Sequence, residues 1–382
     1  MTLLRSRTVP FLDLSAMNAE VSDLVGVQWN DLMVENAYIG GEWVERFESS
    51  WASYCGATYA VGVANGTDAL ELTLRALGIG TGDEVILPAN TFVATAAAVH
   101  LAGAHPRFAD VDPDTALLTA DGVRSMLGPR TAAVIVTHLF GNMANMEELV
   151  RVSDANHLAL IEDAAQAHGA TWEGAKAGSL SVAGCFSFYP GKNLGAFGDA
   201  GAVVTSDQRL AEGIRSLGNH GRSPRSKHAH GLIGRNSRMD ALQAAVLSAK
   251  LPRLDTWNHS RRQAARIYRE RLPATAGAWI AEEDRSQSAY HLNVLRVRSR
   301  DDVISHLQRS SIETGVHYPV PCHLQPGYER YRSERLPAAE RLANEILSLP
   351  IYPHITVDTI DYVCEALLEW TDHANHPSHH GA

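Results

Sequence analysis

Between Tyr59 and Glu162 the chain alternates short apolar runs with amphipathic ones, and this alternation restricts its fold more than any other feature. It predicts strands at Tyr59–Val63, Glu84–Leu87, His105–Asp110, Ala132–Thr137 and Leu158–Glu162. Helices fall between them, one running from the Asn65–Leu70 turn to Leu77, then Thr91–Ala102, Ala120–Met126 and Met146–Asn156. Such alternation buries a mostly parallel sheet between helical layers. Two further apolar runs, Ala183–Tyr189 and Gly201–Thr205, extend the sheet. Ligands of α/β sheets collect beyond the strand ends, so the chemistry is sought there.

The flanks complete an α/β architecture of two domains, for which 382 residues suffice. Apolar spacing predicts helices at Ala19–Val34 and Trp43–Tyr54 before the sheet, and at Asp207–Leu217, Met239–Leu251 and Leu254–Arg271 after it. The boundary is placed inside the last of these. Residues 1–255 then form a large domain with an N-terminal helical segment, and 256–382 a small α+β domain. The small domain is predicted to hold a strand at Tyr290–Val297 and helices at Asp301–Gln308, Ala338–Leu347 and Thr356–Leu368. Between the helices of the large domain, Gly218–Asn236 is a long, basic, glycine-containing loop, a form often kept for function.

Composition excludes several classes of function. A net charge of -10 does not suit a nucleic-acid partner, which needs a basic face to neutralise phosphates. A local group of cations can still hold a small diphosphate. The four cysteines are scattered and form no Cys-x-x-Cys pair, so free thiols in a reducing compartment are expected and no metal site. His376 and His380 flank Pro377 in the tail and do not share a helix face. With no apolar run long enough for a signal peptide or a span, a cytoplasmic protein without membrane contact is expected.

Three strand-end features bear chemistry. Lys192 lies between Gly191 and Gly195, directly after the run Ala183–Tyr189. It is not a P-loop lysine, because Asn193 follows where Ser or Thr is needed and Phe186 takes the place of the first glycine. Asp163 ends the run Leu158–Glu162, 29 residues before Lys192, a distance that one crossover spans. The Asn65–Leu70 turn starts a helix, whose first-turn amides suit a phosphate. Each also has an ordinary reading: Thr67 or Asp68 as a helix N-cap, Asp163 as the cap before Ala164, Phe92 as a core aromatic, Lys192 as a solvated loop lysine. Together they fit pyridoxal 5'-phosphate, with a lysine for its aldehyde, a carboxylate for its ring nitrogen and a helix start for its phosphate.

These residues, with Pro88–Phe92, Ile161–Ala170, Cys185–Gly198 and Asn236–Arg238, resemble the motifs of the DegT/DnrJ/EryC1/StrS sugar aminotransferases. That family belongs to the fold-type I pyridoxal phosphate enzymes, and the similarity runs from about Phe11 to Leu368. It implies a large mixed, mostly parallel sheet domain and a homodimer with shared active sites. Lys192 would form the Schiff base and shuttle the proton, and Asp163 would keep the ring nitrogen protonated. Gln166 would meet the ring hydroxyl and Phe92 would stack on the ring. Gly66, Thr67 and Ser187 would hold the phosphate, with Asn236 of the neighbouring subunit.

Lysine at position 192, where related sugar dehydratases carry histidine, favours transamination. Gly315–Tyr328 resembles the segment of enzymes that aminate C3 of dTDP-3-keto-6-deoxyhexoses. There a histidine-tyrosine pair, here His317 and Tyr318, reaches across the dimer to the sugar nucleotide; a Pro-rich structural turn is the alternative. Tyr189 is placed with the substrate, and Lys227, Arg222 and Arg225 are cations of the long loop that suit a diphosphate or stay solvated. L-Glutamate is the donor that the resemblance implies. The alternatives are amination at C4, an aminocyclitol substrate, or a catalytically silent regulatory homologue, which the retained Lys192, Asp163 and Gln166 disfavour.

Overall fold

The computed structural model describes residues 8–223, 228–332 and 335–375. Three helices, α1 (Ser15–Ala19), α2 (Ser22–Glu35) and α3 (Glu42–Cys55), precede the sheet. The helix predicted at Ala19–Val34 is thus divided. Val21 turns inward to a small core with Val25, Val246 and Ala249, and Ser22 Oγ donates to the carbonyl of Ala19.

The alternating region forms β1 (Tyr59–Val63), α4 (Gly66–Ala76), β2 (Glu84–Pro88), α5 (Val93–Leu101), β3 (His105–Ala109), α6 (Ala120–Ser125), β4 (Thr131–Thr137), α7 (Met146–Ala155) and β5 (Ala159–Asp163). The short strands β6 (Thr171–Trp172) and β7 (Ala175–Lys176) lead to β8 (Ala183–Ser187) and β9 (Gly201–Thr205). Seven strands make the main sheet, in the order β1-β9-β8-β5-β4-β2-β3. The pairs from β8 to β3 are parallel, and β9 runs antiparallel to both its neighbours. The sheet is therefore mixed and mostly parallel. Every residue of β2 and β9 is buried, as expected of strands covered on both faces.

Strand periodicity sends Glu162 and Asp163 to opposite faces. Fully buried Glu162 accepts from the amides of Gly178 at 2.7 Å and Leu180 at 2.9 Å, and meets His138 Nε2 at 2.9 Å. His138 Nδ1 accepts from the Ala144 amide, so Nε2 carries the hydrogen and donates to Glu162. A saturated carboxylate thus pins the crossover on one face and leaves Asp163 to the other.

Helices α8 (Gln208–Gly218), α9 (Ala241–Lys250) and α10 (Leu254–Arg271) follow. Leu254 of α10 belongs to the main core, whereas Ala264, Ala265 and Tyr268 enter a second one. That second core is built on β10 (Ala278–Trp279), β12 (Asn293–Arg296), α11 (Arg300–Arg309), β13 (Ile346–Leu349) and α13 (Val357–Asn375), while β11 (Ser286–Gln287) lies apart from it and α12 (Pro337–Glu345) packs through Ala339 and Leu342 on the main core. β10, β12 and β13 form an antiparallel sheet, and β11 pairs with β6.

Two expectations for the small domain need correction. The strand predicted from Tyr290 begins at Asn293, because Tyr290 is left-handed at φ 45°. The helix predicted over Ala338–Leu347 ends at Glu345, and Ile346–Leu349 pairs with β12. Its apolar residues satisfied a helical spacing, but pairing buries all four.

The side face of the main sheet is sealed by fully buried Trp51, whose ring meets Phe186 and Phe188 edge-on at 4.9 and 5.3 Å. Trp51→Ala should cost about 3–5 kcal/mol of stability. Denaturant unfolding checks this, and a loss below about 1 kcal/mol would contradict such packing.

Candidate active site

A cavity of about 420 Å3 opens where the ends of β4, β5 and β8 meet the first turns of α4 and α5. It brings together Gly66, Thr67, Phe92, Asp163, Gln166, Ser187, Tyr189, Lys192, His317 and Tyr318, every sequence-predicted site residue except two. Asn236, one of the two, is exposed on the loop outside this cavity. The other, Lys227, lies outside the described residues, as does Arg225; Arg222 is exposed.

Asp163 is the last residue of β5, in register with Thr137 and Cys185 on the strands beside it. It caps no helix, since the residues that follow form turns. Its carboxylate accepts from Thr95 Oγ1 at 2.7 Å and from the Ala165 amide at 3.2 Å. A chain of hydroxyls continues behind Thr95, through Thr91 to Thr137 at 2.8 and 3.1 Å. Burial raises the Asp163 pKa above the ordinary carboxylate value, against the opposing pull of Thr95, Ala165, Lys192 and His138. A buried carboxylate so placed favours a cationic N–H partner.

Lys192 sits on a tightly wound loop after β8. Its amide donates to the Tyr189 carbonyl at 2.8 Å, and the Ala196 amide donates to Phe188 at 2.8 Å. Only glycine fits at 195, where a Cβ would lie 2.2 Å from the Pro190 carbonyl oxygen. Lys250 Nζ donates to the Gly195 carbonyl at 2.8 Å and locks the turn. Burial lowers the Lys192 ammonium to about 8, with Asp163 resisting. Near neutrality a fraction of Lys192 is therefore a free amine, able to take or give a proton.

At the start of α4 the cap is Asn65, neither Thr67 nor Asp68: its Oδ1 accepts from the Asp68 amide at 2.8 Å. The amides of Gly66 and Thr67 lack partners within the helix and lie at its positive end. Ser187, from the end of β8, is pressed against this turn, so that a Cβ on Gly66 would come within 2.7 Å of its Cβ. The base of the long loop is tied to the same helix by Arg235, which pairs with Asp68 and with Glu71 at 2.7 Å.

Gln166 Oε1 accepts from the Phe140 amide at 2.7 Å, which fixes the amide and aims Nε2 at Tyr318 OH, 3.1 Å away. Burial pushes the Tyr318 phenol up and keeps it protonated. With its oxygen accepting from Gln166, its hydrogen is left to donate into the cavity. Phe92 is half-exposed and not a core aromatic; its ring lies 5.2 Å from that of Tyr318. His317 and Tyr318, which the resemblance sends across a dimer, line the cavity of their own chain. Gly315 pairs with Ser348 of β13, and Ser348 Oγ meets His317 Nδ1 at 2.9 Å, which turns the segment inward. Burial, aided by the charge of Lys192, lowers His317 to about 4, so its ring is neutral.

Sequence reasoning missed Thr95, Asn193, His291, Phe11 and Leu12. Thr95 stands one helical turn beyond Thr91, and Asn193 directly follows Lys192; those were the only available signals. The others arrive from distant segments. Phe11 stacks on His317 at 5.6 Å, and its amide is held by Glu313.

The donor set fits pyridoxal phosphate: an amine of lowered pKa, a carboxylate short of a cation, a helix start beside a serine hydroxyl, and a half-exposed aromatic face. No cluster of three or more metal-ligating side chains occurs among the described residues, and no described helix is long and apolar enough to cross a membrane. All four cysteines are free and buried.

This fold and site define the pyridoxal-phosphate-dependent aminotransferases. A model of the DegT/DnrJ/EryC1/StrS aminotransferase family matches residues 27–368, and the chain belongs to that family. The chain is 44% identical over 364 residues to the erythromycin biosynthesis sensory transduction protein EryC1 of Saccharopolyspora erythraea, covering 94% of this chain and 98% of that one. It is 42% identical to the dTDP-3-amino-3,4,6-trideoxy-alpha-D-glucose transaminase of Streptomyces venezuelae, covering 95% and 96%. The crystal structure of S. venezuelae DesV superimposes with a TM-score of 0.93 at 42% identity, covering 96% and 99%. The protein is a sugar-nucleotide aminotransferase, and pyridoxal phosphate is its cofactor.

The raised Asp163 pKa makes a prediction for the cofactor-free protein. The ionised carboxylate costs stability above its unfolded pKa of about 3.9. Asp163→Asn removes that cost, so its apo form should match or exceed the wild type in thermal midpoint at pH 7, with the difference vanishing near pH 3. Its affinity for pyridoxal phosphate should fall. A less stable apo variant at pH 7 would contradict the assigned shift.

Proposed function

We propose that this enzyme transfers the amino group of L-glutamate to C3 of a dTDP-3-keto-6-deoxyhexose, in the cytoplasm and in the biosynthesis of a deoxyaminosugar of antibiotic type. The observation that carries the reading is one cavity joining Lys192, Asp163 and Gln166 to His317 and Tyr318, in a chain 42% identical to a dTDP-3-amino sugar transaminase.

Bound pyridoxal phosphate supplies a ring that accepts the electron pair released when a proton leaves the carbon bearing nitrogen. The side chains do the rest. Asp163 would hold the ring nitrogen in its protonated form, which would also relieve the cost of burying a lone carboxylate. Gly66, Thr67 and Ser187 would hold the phosphate, Gln166 the ring hydroxyl, and Phe92 the face of the ring. Lys192 Nζ would act as base and then as acid within each half-reaction, taking a proton from the carbon bearing nitrogen and delivering it to the carbon at the other end of the same N–C linkage. Tyr318 donates to a substrate oxygen, and neutral His317 orients the sugar nucleotide beside Tyr189. Lys227 of the long loop is assigned to the diphosphate.

We place the enzyme as a homodimer. Asn236 is assigned to the partner's cofactor phosphate, which agrees with its position outside the cavity of its own chain. Tyr189 at 58% and Phe92 at 50% exposure at the mouth, and Ile233 at 90% on the loop, are apolar surface that a second copy would cover. Four free thiols agree with a reducing compartment.

With cofactor bound, L-glutamate should bleach the visible absorbance and a dTDP-3-keto-6-deoxyhexose should restore it. Restoration only by a 4-keto sugar would sink the C3 assignment. Lys192→Ala should abolish both half-reactions. His317→Ala should weaken sugar-nucleotide binding by about tenfold or more, one lost polar contact's worth, while the glutamate half-reaction persists. Unchanged sugar binding would return His317 to a structural role.

A further inference from the structure

Thr95 lies buried in the first turn of α5. A threonine in a helix commonly gives its hydroxyl hydrogen to the carbonyl four residues back. Thr73 of α4 does so, donating to Ala69 at 2.7 Å. Thr95 is turned instead toward Asp163, with its Oγ1 at 2.7 Å from Oδ2, and the carbonyl four residues back, that of Thr91, accepts from Cys322 Sγ at 3.3 Å. The hydroxyl that helix geometry would keep local is spent on the buried carboxylate.

The direction of the row behind Thr95 follows from its hydrogens. An ionised carboxylate only accepts, so Thr95 gives its single hydrogen to Asp163, and its oxygen takes that of Thr91 at 2.8 Å. Thr91 then has none left for Thr137, which must donate to it at 3.1 Å. All three hydroxyl dipoles point toward Asp163, and each strengthens the next. They come from separate pieces of backbone: Thr95 from α5, Thr91 from the turn before it, and Thr137 from the end of β4, in register with Asp163 itself. A protonated Asp163 would lose this alignment or turn the row around, so the row favours the ionised form.

We propose that Thr95 is the positioning residue for the carboxylate that meets the cofactor's ring nitrogen, with Thr91 and Thr137 acting through it: the row keeps Asp163 ionised and holds Oδ2 still, leaving its other acceptor positions open to an N–H. The inference rests on Asp163 serving the ring nitrogen. No covalent bond forms or breaks, and each hydroxyl keeps its hydrogen. Burial raises the Asp163 pKa, and of the groups that oppose it the Thr95 hydroxyl stands first, ahead of the Ala165 amide, Lys192 and His138. Tyr318 and Cys185 also face Asp163, and burial keeps both protonated and uncharged.

The test uses full-length cofactor-free protein carrying 13C-labelled aspartate, in which the Asp163 carboxyl resonance is the one missing from Asp163→Asn. Thr95→Val removes the hydroxyl and keeps the shape, and should raise the Asp163 midpoint by about one pH unit. Thr137→Val, two hydroxyls back from the carboxylate, should raise it by about 0.2 of a unit, the smaller effect of a polarising neighbour. Thr95→Ser should keep the wild-type midpoint. The pH below which affinity for pyridoxal phosphate falls should move up with the midpoint in Thr95→Val and return in Thr95→Ser, whereas a merely structural loss would weaken binding equally at every pH. An unmoved midpoint in folded Thr95→Val would overturn the proposal, and a shift there with none in Thr137→Val would strike Thr91 and Thr137 from it. If Thr95→Val does not fold, the hydroxyl proton of Thr95 in the wild type decides. Its resonance should move as Asp163 titrates and lie still in Asp163→Asn; a resonance blind to Asp163 would refute the role. Full cofactor affinity in Asp163→Asn would instead remove the functional reading beneath and leave the midpoints as they are, so the two failures are distinguishable.

Discussion

A carboxylate buried without a matching cation is the constraint around which this site is organised. Asp163 is delivered to the rim by a strand whose neighbours on both sides are parallel to it, and among the described residues its carboxylate is held by a threonine hydroxyl and one amide. Those bonds lower its pKa less than burial raises it. The unmet demand is for positive charge, and the protein answers with a lysine whose own charge is discouraged by the same burial. Two groups held away from their preferred states across one cavity are a common arrangement where protons must move. A protonated pyridine ring held there, as the proposed assignment has it, would satisfy the carboxylate and favour an uncharged lysine.

The rest of the structure holds these groups still. Glu162, one residue before Asp163 and facing the other way, ties the crossover down with amides and His138. Asn193, one residue after Lys192, ties the lysine loop to α10 and to the 289–292 segment. That segment is joined to the Phe140 turn, and the turn to Gln166. The 289–292 segment therefore reaches the cavity through backbone pairing. His317 follows the same logic, because its approach to the cavity is set by the pairing of Gly315 with β13.

Much of this was legible in the sequence where the signal is local. Short apolar runs and period-3.6 patterns marked the seven strands of the main sheet and the helices between them, and β1, β9 and α10 fall on their predicted residues. Lys192, Asp163 and the α4 corner were visible because a strand end, a glycine and a polar residue occur together. What stayed hidden depends on distant partners. β6, β7, β10 and β11 are two residues long and carry no period. β13 looked like the end of a helix until β12 was there to pair with it. His291 and Phe11 enter the cavity through contacts with segments about a hundred residues away or more, and through main-chain anchors with no side-chain signature. The direction of His317 and Tyr318, toward their own cavity, could not follow from a motif that records residue identity and no path.

The central claim is that the amine of Lys192 captures pyridoxal phosphate in the field of Asp163. Borohydride reduction of the cofactor-loaded protein, with mass mapping of the modified peptide, tests it most directly. The account predicts a single pyridoxyl adduct, on Lys192, with capture that accelerates as pH rises through about 8. An adduct on any other lysine, or none, would contradict it.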